Sequence, residues 1–206
     1  ADIPANTGLG SSSSFTVGLL HAMFALKGQM VNKSQLSNLA AKIEVDILKR
    51  NMGKQDHYAA TYGNMNILTF HPNEDVSTEP LLVDKKIKGR LLSKLMLFYT
   101  GQTRDASIIL EKQIKETDNK FDVLKKMRDL VAPFCDSIVK NDLPTLGKLL
   151  HENWMLKKSI TSKISTREID EHYKKALDAG AIGGKLLGAG GGGFLLLYVE
   201  EENQSQ

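Results

Sequence analysis

The sequence of 206 residues has a single cysteine and no long apolar stretch. Cys135 cannot form an intrachain disulfide, and its position between Phe134 and a helical run predicts a buried structural thiol. A catalytic role is not expected, because no local signature supplies a partner histidine. A single cysteine is consistent with a protein of the reducing cytoplasm. No apolar run has the length of a membrane span, and the first residues lack the basic and apolar regions of a signal peptide. We therefore expect a cytoplasmic protein that does not bind membranes.

The sequence also lacks three common signatures of ligand binding. Its net charge is only +3, from 27 basic and 24 acidic residues, and no basic run is interleaved with aromatic residues, so nucleic acid is not an expected partner. No Walker A motif occurs. The five histidines show no metal-ligand spacing, and His57, beside Asp56, is expected to face solvent. Any nucleotide or metal site therefore has to use other residues.

A glycine- and serine-rich stretch, residues 4–14, leads into an apolar-periodic run. A helix N-terminus has free amide groups and a partial positive charge that suit phosphate, glycine lets the backbone approach an anion, and serine adds hydroxyl ligands. These residues alone leave two alternatives, a flexible linker and a serine-capped helix without a ligand. The run itself has the spacing of an amphipathic helix, with apolar residues at Phe15, Leu19, Ala22, Met23 and Leu26.

The order of the remaining patterns predicts an α+β fold, in which helices pack on antiparallel sheets. Helices are expected at 34–50, 104–115, 121–140, 143–158 and 166–179, and strands at 65–70, 81–83, 94–99 and 194–199. Asp142 and Pro144 fit a helix start, Trp154 is expected in the core, and the C-terminal tail is expected to fray. A domain boundary is expected near residues 84–93. The apolar stripe of helix 34–50 consists of Leu36, Leu39, Ala40, Ile43 and Ile47.

A second glycine cluster, residues 188–193, contains five glycines between two apolar runs. Ordering so many glycines costs backbone entropy, which indicates that the backbone has a close neighbour here. The cluster is either a tight hairpin or helix crossing, or the floor of a site where the chain must pass without side chains.

Two carboxylates, Glu44 and Asp56, and the guanidinium of Arg104 are the candidate groups for phosphoryl transfer. That reaction uses a divalent metal that bridges phosphates and a carboxylate that accepts a hydroxyl proton. Each carboxylate has an ordinary alternative role, Glu44 as a solvated charge on a helix face and Asp56 as a turn residue or helix cap. Arg104 follows Thr100 at a strand end, where it could clamp a phosphate or sugar oxygen or pair with a surface acid.

Taken in order, these segments resemble the GHMP kinase superfamily of small-molecule kinases. The family's phosphate loop, Pro-x-x-x-Gly-Leu-Gly-Ser-Ser, is similar to Pro4–Ser12 without a gap, and its C-terminal glycine-rich motif is similar to Lys185–Phe194. Gly53–Asp56, Tyr99–Ser107 and Gly188–Phe194 are similar to the D-glycero-D-manno-heptose 7-phosphate kinases. L-fucokinase domains share much of this pattern. The resemblance covers essentially the whole chain.

The resemblance implies a two-domain architecture. Residues 1–88 would be the C-terminal portion of an ATP-binding domain like domain 2 of ribosomal protein S5, truncated at its start, and residues 89–206 a ferredoxin-like C-terminal domain. The family's N-terminal motif is absent, and Asn6-Thr7 stands where smaller residues are expected. The chain is therefore expected to lack strands of its first domain and to need the missing segment for activity.

The resemblance also implies roles for individual residues. Asp56 corresponds to the base toward the sugar hydroxyl, and Ser12 and Glu44 correspond to the Mg²⁺ ligands. The substrate candidates are Thr100, Arg104 and Gly191. The ATP phosphates would be held by Gly8, Leu9, Gly10, Ser11, Ser12, Ser13, Gly190 and Gly191.

The function implied by the resemblance is ATP-dependent phosphorylation of a sugar. The expected acceptor is the anomeric hydroxyl of D-glycero-D-manno-heptose 7-phosphate, which would give the 1,7-bisphosphate. ATP and the sugar phosphate are the expected partners, with a homodimer as one possible assembly. The alternatives are an L-fucokinase-like or other GHMP sugar kinase, and a non-catalytic nucleotide or sugar sensor on the same fold.

Overall fold

The computed structural model describes residues 7–103, 109–111, 113–114 and 120–205. The described residues fall into two compact units, one made of residues 10–82 and the other of residues 7–9 and 83–205. Each unit combines helices with antiparallel strands, which confirms the α+β prediction. Most of the helix predicted at 104–115, including Arg104, lies outside the described residues.

The first unit has three α-helices and a two-stranded sheet among its described elements. The strand predicted at 65–70 is confirmed. The strand predicted at 81–83 is wrong, because residues 76–80 form the strand that pairs with the first one. The elements are α1 (Ser11–Leu26), α2 (Lys33–Ala41), a π-helical turn (Lys42–Ile47), α3 (Gln55–Tyr62), β1 (Asn66–Phe70) and β2 (Val76–Pro80).

The helix predicted at 34–50 changes its winding after Ala41. Asn32 caps α2, where its side chain accepts from the amide of Gln35 and the Gln35 side chain accepts from the amide of Asn32. From Lys42 the chain is π-helical, with wider turns than an α-helix. The α-helical stripe therefore does not continue, and Ile47 is 63% exposed.

Helix α1 is confirmed, but the face predicted to be buried is wrong. Phe15 is 70% and Leu26 89% exposed, whereas Ser13 and Val17 are buried. Val17 packs in a small core with Leu36 and Ala40 of α2. Apolar residues occur around most of the circumference of α1, so periodicity alone identifies a helix without selecting its buried side.

The second unit contains a three-stranded antiparallel sheet of order β3-β5-β4. The predicted strands 94–99 and 194–199 are confirmed, whereas β4 and α4 were not predicted, and the helix predicted at 121–140 is divided at Leu130. The described elements are α4 (Lys85–Ser93), β3 (Leu95–Tyr99), α5 (Phe121–Asp129), α6 (Val131–Val139), α7 (Leu143–Lys158), α8 (Arg167–Asp178), β4 (Ala181–Leu186), β5 (Phe194–Val199) and a 3₁₀ turn (Glu201–Asn203).

The core of the second unit lies between this sheet and its helices. Trp154 of α7 is fully buried there with Tyr173 of α8, as predicted. The Asp142 side chain caps α7 by accepting from the Thr145 amide, also as predicted. The prediction of a frayed tail is wrong for the described residues, because the Gln204 side chain donates to the carbonyl oxygens of Ser93 and Val199. None of the described helices is long and apolar enough to cross a membrane.

Helix α7 approaches β4 closely through two glycines, Gly147 and Gly183. A Cβ atom on Gly183 would overlap the carbonyl oxygen of Gly147, and one on Gly147 would lie 2.8 Å from the Tyr198 ring. The obstacle at Gly183 is backbone, which cannot turn aside as a side chain can. Glycine is needed at this position for space.

Gly183→Ala is therefore expected to lower the free energy of unfolding by about 3 kcal/mol, since α7 and β4 must separate. Gly89→Ala is the matched control, because Gly89 lies inside α4 with open space at its Cβ position. Alanine there should raise stability by up to about 1 kcal/mol. Urea unfolding followed by circular dichroism measures both. Equal effects of the two substitutions would contradict the packing argument.

Candidate functional site

A cluster of polar side chains forms in the first unit around Glu44. The Ser12 hydroxyl in the first turn of α1 donates to Glu44 Oε1. His57 Nε2 on α3 lies 2.8 Å from Glu44 Oε2. Arg50 Nη1, just after the π-helical turn, lies 2.9 Å from Ser12 Oγ and 3.4 Å from Glu44 Oε1. The carboxylate of Glu44 thus has two hydrogen-bond donors, Ser12 and His57, and one cationic neighbour, Arg50.

Glu44 is only 2% exposed, so it is not the solvated helix-face charge that was its ordinary alternative. Burial alone would raise its pKa, but the hydrogen bonds from Ser12 and His57 and the charge of Arg50 bring the pKa of Glu44 below its usual value. Glu44 is thus a buried carboxylate at neutral pH. A buried carboxylate with such partners is typical of functional sites.

His57 is fully buried, and the prediction that it faces solvent is wrong. Its Nε2–H donates to the Glu44 carboxylate, since a carboxylate can only accept. Its Nδ1 lies 3.3 Å from the carbonyl oxygen of Lys54. His57 therefore fixes the orientation of Glu44 from the side opposite Ser12. Sequence patterns do not predict this contact, because the two residues are 13 positions apart on different elements.

Asp56 lies beside this cluster in the first turn of α3. Burial raises the pKa of Asp56; His57 opposes this shift and the Glu44 carboxylate adds to it. A Cβ atom on Gly10 would lie 3.4 Å from Asp56 Oδ2, so the carboxyl group adjoins the residue that caps α1. Asp56 is thus a half-buried acid at the N-terminal end of a helix, with a pKa shifted toward the range of a general base.

The start of α1 has the features of an anion site. Gly10 caps the helix with φ 68°, and the first amide groups after it have no acceptor within the helix. The Ser13 hydroxyl is buried and has no hydrogen-bond partner among the described residues. A buried, unpaired hydroxyl costs free energy unless a ligand pairs with it. A phosphate group fits this end of the helix, because it would accept from both the amides and the hydroxyls.

The oxygen pair Ser12 Oγ and Glu44 Oε1 also fits Mg²⁺. Within the described ranges, no group of three or more histidine, cysteine or acidic residues could hold a metal. Mg²⁺ does not need one, since it commonly binds one or two carboxylates and takes its remaining ligands from water and substrate phosphates. Ser12 and Glu44 would hold the cation, which would offset phosphate charge.

Arg50 was not predicted, and it competes for the same two oxygens. Its exposed side chain lies where a cation held by Ser12 and Glu44 would repel it. Arg50→Met should therefore tighten Mn²⁺ binding several-fold, and it should lower the stability of the metal-free protein by about 1 kcal/mol or less, since the pair is partly solvated. Calorimetric titration with Mn²⁺ measures the affinity. Lys42→Met, an exposed change in the π-helical turn, is the control; weaker binding by Arg50→Met would contradict the competition.

The second unit holds the other predicted glycines. A Cβ atom on Gly8 would lie 2.8 Å from the carbonyl oxygen of Leu187, so the backbones of the two glycine-rich segments touch there. The Gly191 amide donates to the Ile164 carbonyl oxygen, 2.8 Å away. The Thr100 amide and hydroxyl both donate to the Gly193 carbonyl oxygen, each at 2.9 Å. In this structure Gly191 and Thr100 thus bond within the unit, and their ligand roles stay predictions.

The predicted site residues are therefore distributed over the two units. The first unit brings together Gly10, Ser12, Glu44 and Asp56, with Ser11 and Ser13 beside them. The second contains Gly8, Leu9, Thr100, Gly190 and Gly191. Arg104 lies outside the described residues.

Comparison with known proteins identifies the family. The family model for the GHMP kinases N terminal domain matches residues 1–64, and that for GHMP kinases C terminal matches residues 135–206. The chain is 33% identical over 202 residues to the D-glycero-alpha-D-manno-heptose 7-phosphate kinase of Campylobacter jejuni subsp. jejuni serotype O:2, covering 97% of this chain and 60% of that protein. It is 22% identical to the bifunctional fucokinase/GDP-fucose pyrophosphorylase of Arabidopsis thaliana, covering 100% of this chain and 20% of that protein.

A solved structure gives the same result. The crystal structure of a D-glycero-D-manno-heptose 1-phosphate kinase from Bacteroides thetaiotaomicron matches with a TM-score of 0.69 and 28% identity, over 99% of this chain and 56% of that one. The chain thus spans about 60% of the length of the heptose phosphate kinases it matches. From the two domain models and this shared fold, the chain belongs to the GHMP kinase family.

Proposed function

We propose that this chain is part of an ATP-dependent sugar kinase, and that its acceptor is the anomeric hydroxyl of D-glycero-D-manno-heptose 7-phosphate. The observation that carries the proposal is the meeting of Gly10, Ser12, Glu44 and Asp56 at the start of α1. It combines an anion site, two oxygen ligands for a cation and a free carboxyl group. The heptose specificity rests on the resemblance to the two heptose phosphate kinases.

Each group has a role in the proposed transfer. The amides and hydroxyls of Ser11–Ser13 would bind nucleotide phosphate oxygens, aided by the partial positive charge of α1. Ser12 and Glu44 would hold Mg²⁺, and His57 would keep Glu44 in place. The Asp56 carboxylate would accept the proton of the sugar hydroxyl as that oxygen attacks the γ-phosphorus and ADP leaves. Most of the rate gain would come from positioning and electrostatics.

The domain division also stays a proposal. Residues 1–88 would supply the C-terminal portion of the ATP-binding domain, and residues 89–206 the C-terminal domain. In this division α4 (Lys85–Ser93) would connect the two.

A kinase assay on the full-length protein tests the function. With ATP and Mg²⁺, ADP release should be fast with D-glycero-D-manno-heptose 7-phosphate and at least about tenfold slower with L-fucose or galactose, because a site built for a phosphate loses a charged contact without it. Phosphorus NMR of the product should show a new phosphate at C1. Preference for L-fucose would assign the chain to the fucokinases. ATP binding without turnover on any sugar would indicate the non-catalytic sensor.

A further inference from the structure

Two lysines of the second unit lie side by side where α7 meets the end of β4. Lys157 lies one helical turn after Asn153, so both project from the same face of α7. Lys185 Nζ on β4 lies 3.1 Å from Asn153 Oδ1. The Lys157 ammonium group donates to the carbonyl oxygen of Gly188, three residues beyond Lys185. The two ammonium groups therefore share one small region.

Neither lysine has a negative partner in the part of the chain that the structure describes. Both side chains are half-buried, and within the described ranges no carboxylate lies within 4.0 Å of either ammonium group. Two other lysines of this unit differ: Lys158, next in sequence, lies 2.9 Å from Asp170, and Lys94 pairs with Glu200. Among the described residues, the ammonium groups of Lys157 and Lys185 contact neutral oxygens, Gly188 O and Asn153 Oδ1 respectively.

Such a pair is unfavourable without an anion. Removing two like charges from water costs free energy that neutral oxygens repay only in part. Burial lowers the pKa of Lys157 to about 7, and the charge of Lys185 contributes. Burial also lowers the pKa of Lys185. A bound dianion between the two ammonium groups would supply the negative charge that they lack and raise both pKa values toward the usual lysine value.

The pair adjoins the backbone of both glycine-rich segments. A Cβ atom on Gly188 would lie 2.5 Å from Cα of Gly8, and Gly188 has φ 67°, which favours glycine. The carbonyl oxygen that Lys157 contacts is thus part of a chain crossing without side chains. The Lys157 ammonium group therefore lies at this crossing of the two glycine-rich segments, and Lys185 lies three residues before it on the same chain.

We propose that Lys157 and Lys185 bind a phosphate group of a phosphorylated ligand. The site itself rests on the lysine geometry. Only the identity of the ligand, the nucleotide or the sugar phosphate, rests on the proposed function.

The first test uses inorganic phosphate, measured calorimetrically at pH 6.5 and constant ionic strength. Phosphate binding should weaken about tenfold or more in Lys157→Met and in Lys185→Met, because each loses a charge-assisted hydrogen bond. Lys158→Met is the matched control and should bind like the wild type. Lys185→Arg should keep most of the affinity, which guards against misfolding of the methionine variant. Unchanged affinity in both Lys157→Met and Lys185→Met, or no binding by the wild type, would overturn the proposal.

The second test identifies the ligand by repeating the titrations with ADP and with D-glycero-D-manno-heptose 7-phosphate. Weaker binding of ADP alone assigns the lysines to the nucleotide, and weaker binding of the sugar phosphate alone assigns them to the acceptor. Neither result depends on turnover. If the wild type fails to phosphorylate any sugar yet loses phosphate binding on lysine substitution, the proposed function falls and the anion site stands.

Discussion

Asp56→Asn should reduce the turnover number about 10²- to 10⁴-fold, the usual contribution of a general base, and leave ATP affinity nearly unchanged. Asparagine has the shape of aspartate but cannot take a proton from the sugar hydroxyl. The Asp56 side chain does not hydrogen-bond to Ser12 or Glu44 in the structure, so the side-chain amide of an asparagine at this position should not disturb those groups. The loss should therefore appear in kcat and only weakly in the KM for ATP.

The control for Asp56→Asn is Asp46→Asn, an exposed carboxylate in the π-helical turn. It makes the same chemical change away from the proposed base and should leave turnover within about twofold, as exposed substitutions usually do. Rapid-quench measurement of a single turnover separates chemistry from product release. Normal turnover by Asp56→Asn would remove Asp56 from the proposed mechanism.

Local sequence signals were sufficient for several features of the fold. The capping residue Asp142, the strand at the C-terminal apolar run and the helix after the serines each depend on neighbouring residues. The predictions failed where tertiary packing decides. Helix α1 has apolar residues on most sides, and its packing against the neighbouring helices decides that Val17 is buried and Phe15 is not.

The site shows the same limit. Glu44 and Asp56 are candidates from the sequence, and the resemblance implies their roles, but neither source predicts the partners of Glu44. Arg50 and His57 approach Glu44 from either side because the π-helical turn and α3 position them there. Neither residue belongs to a local motif, and a histidine in a polar stretch looks solvent-exposed. Such contacts depend on the packing of separate elements, which periodicity does not report.

Glu44→Gln should weaken Mn²⁺ binding by about tenfold or more and lower turnover with it, since the amide removes the negative charge of the proposed cation site. It should also destabilise the protein by about 1–3 kcal/mol. The carboxylate accepts from Ser12 and His57 and pairs with the charge of Arg50, whereas an amide is neutral, has one acceptor oxygen and directs two hydrogens at these groups. Calorimetric Mn²⁺ titration and urea unfolding measure the two effects.

The two measurements together separate a metal ligand from an ion-pair partner. If Glu44 has only a structural role, its substitution should destabilise the protein but leave the Mn²⁺ affinity of the folded fraction unchanged. Asp46→Asn, on the same turn, should change neither quantity. If Glu44 binds the cation and Arg50 competes with it, Glu44→Gln and Arg50→Met must move the affinity in opposite directions although both break the same ion pair. If the Mn²⁺ affinity changes in the same direction in both variants, the cluster is an ion pair between Glu44 and Arg50 and not a cation site.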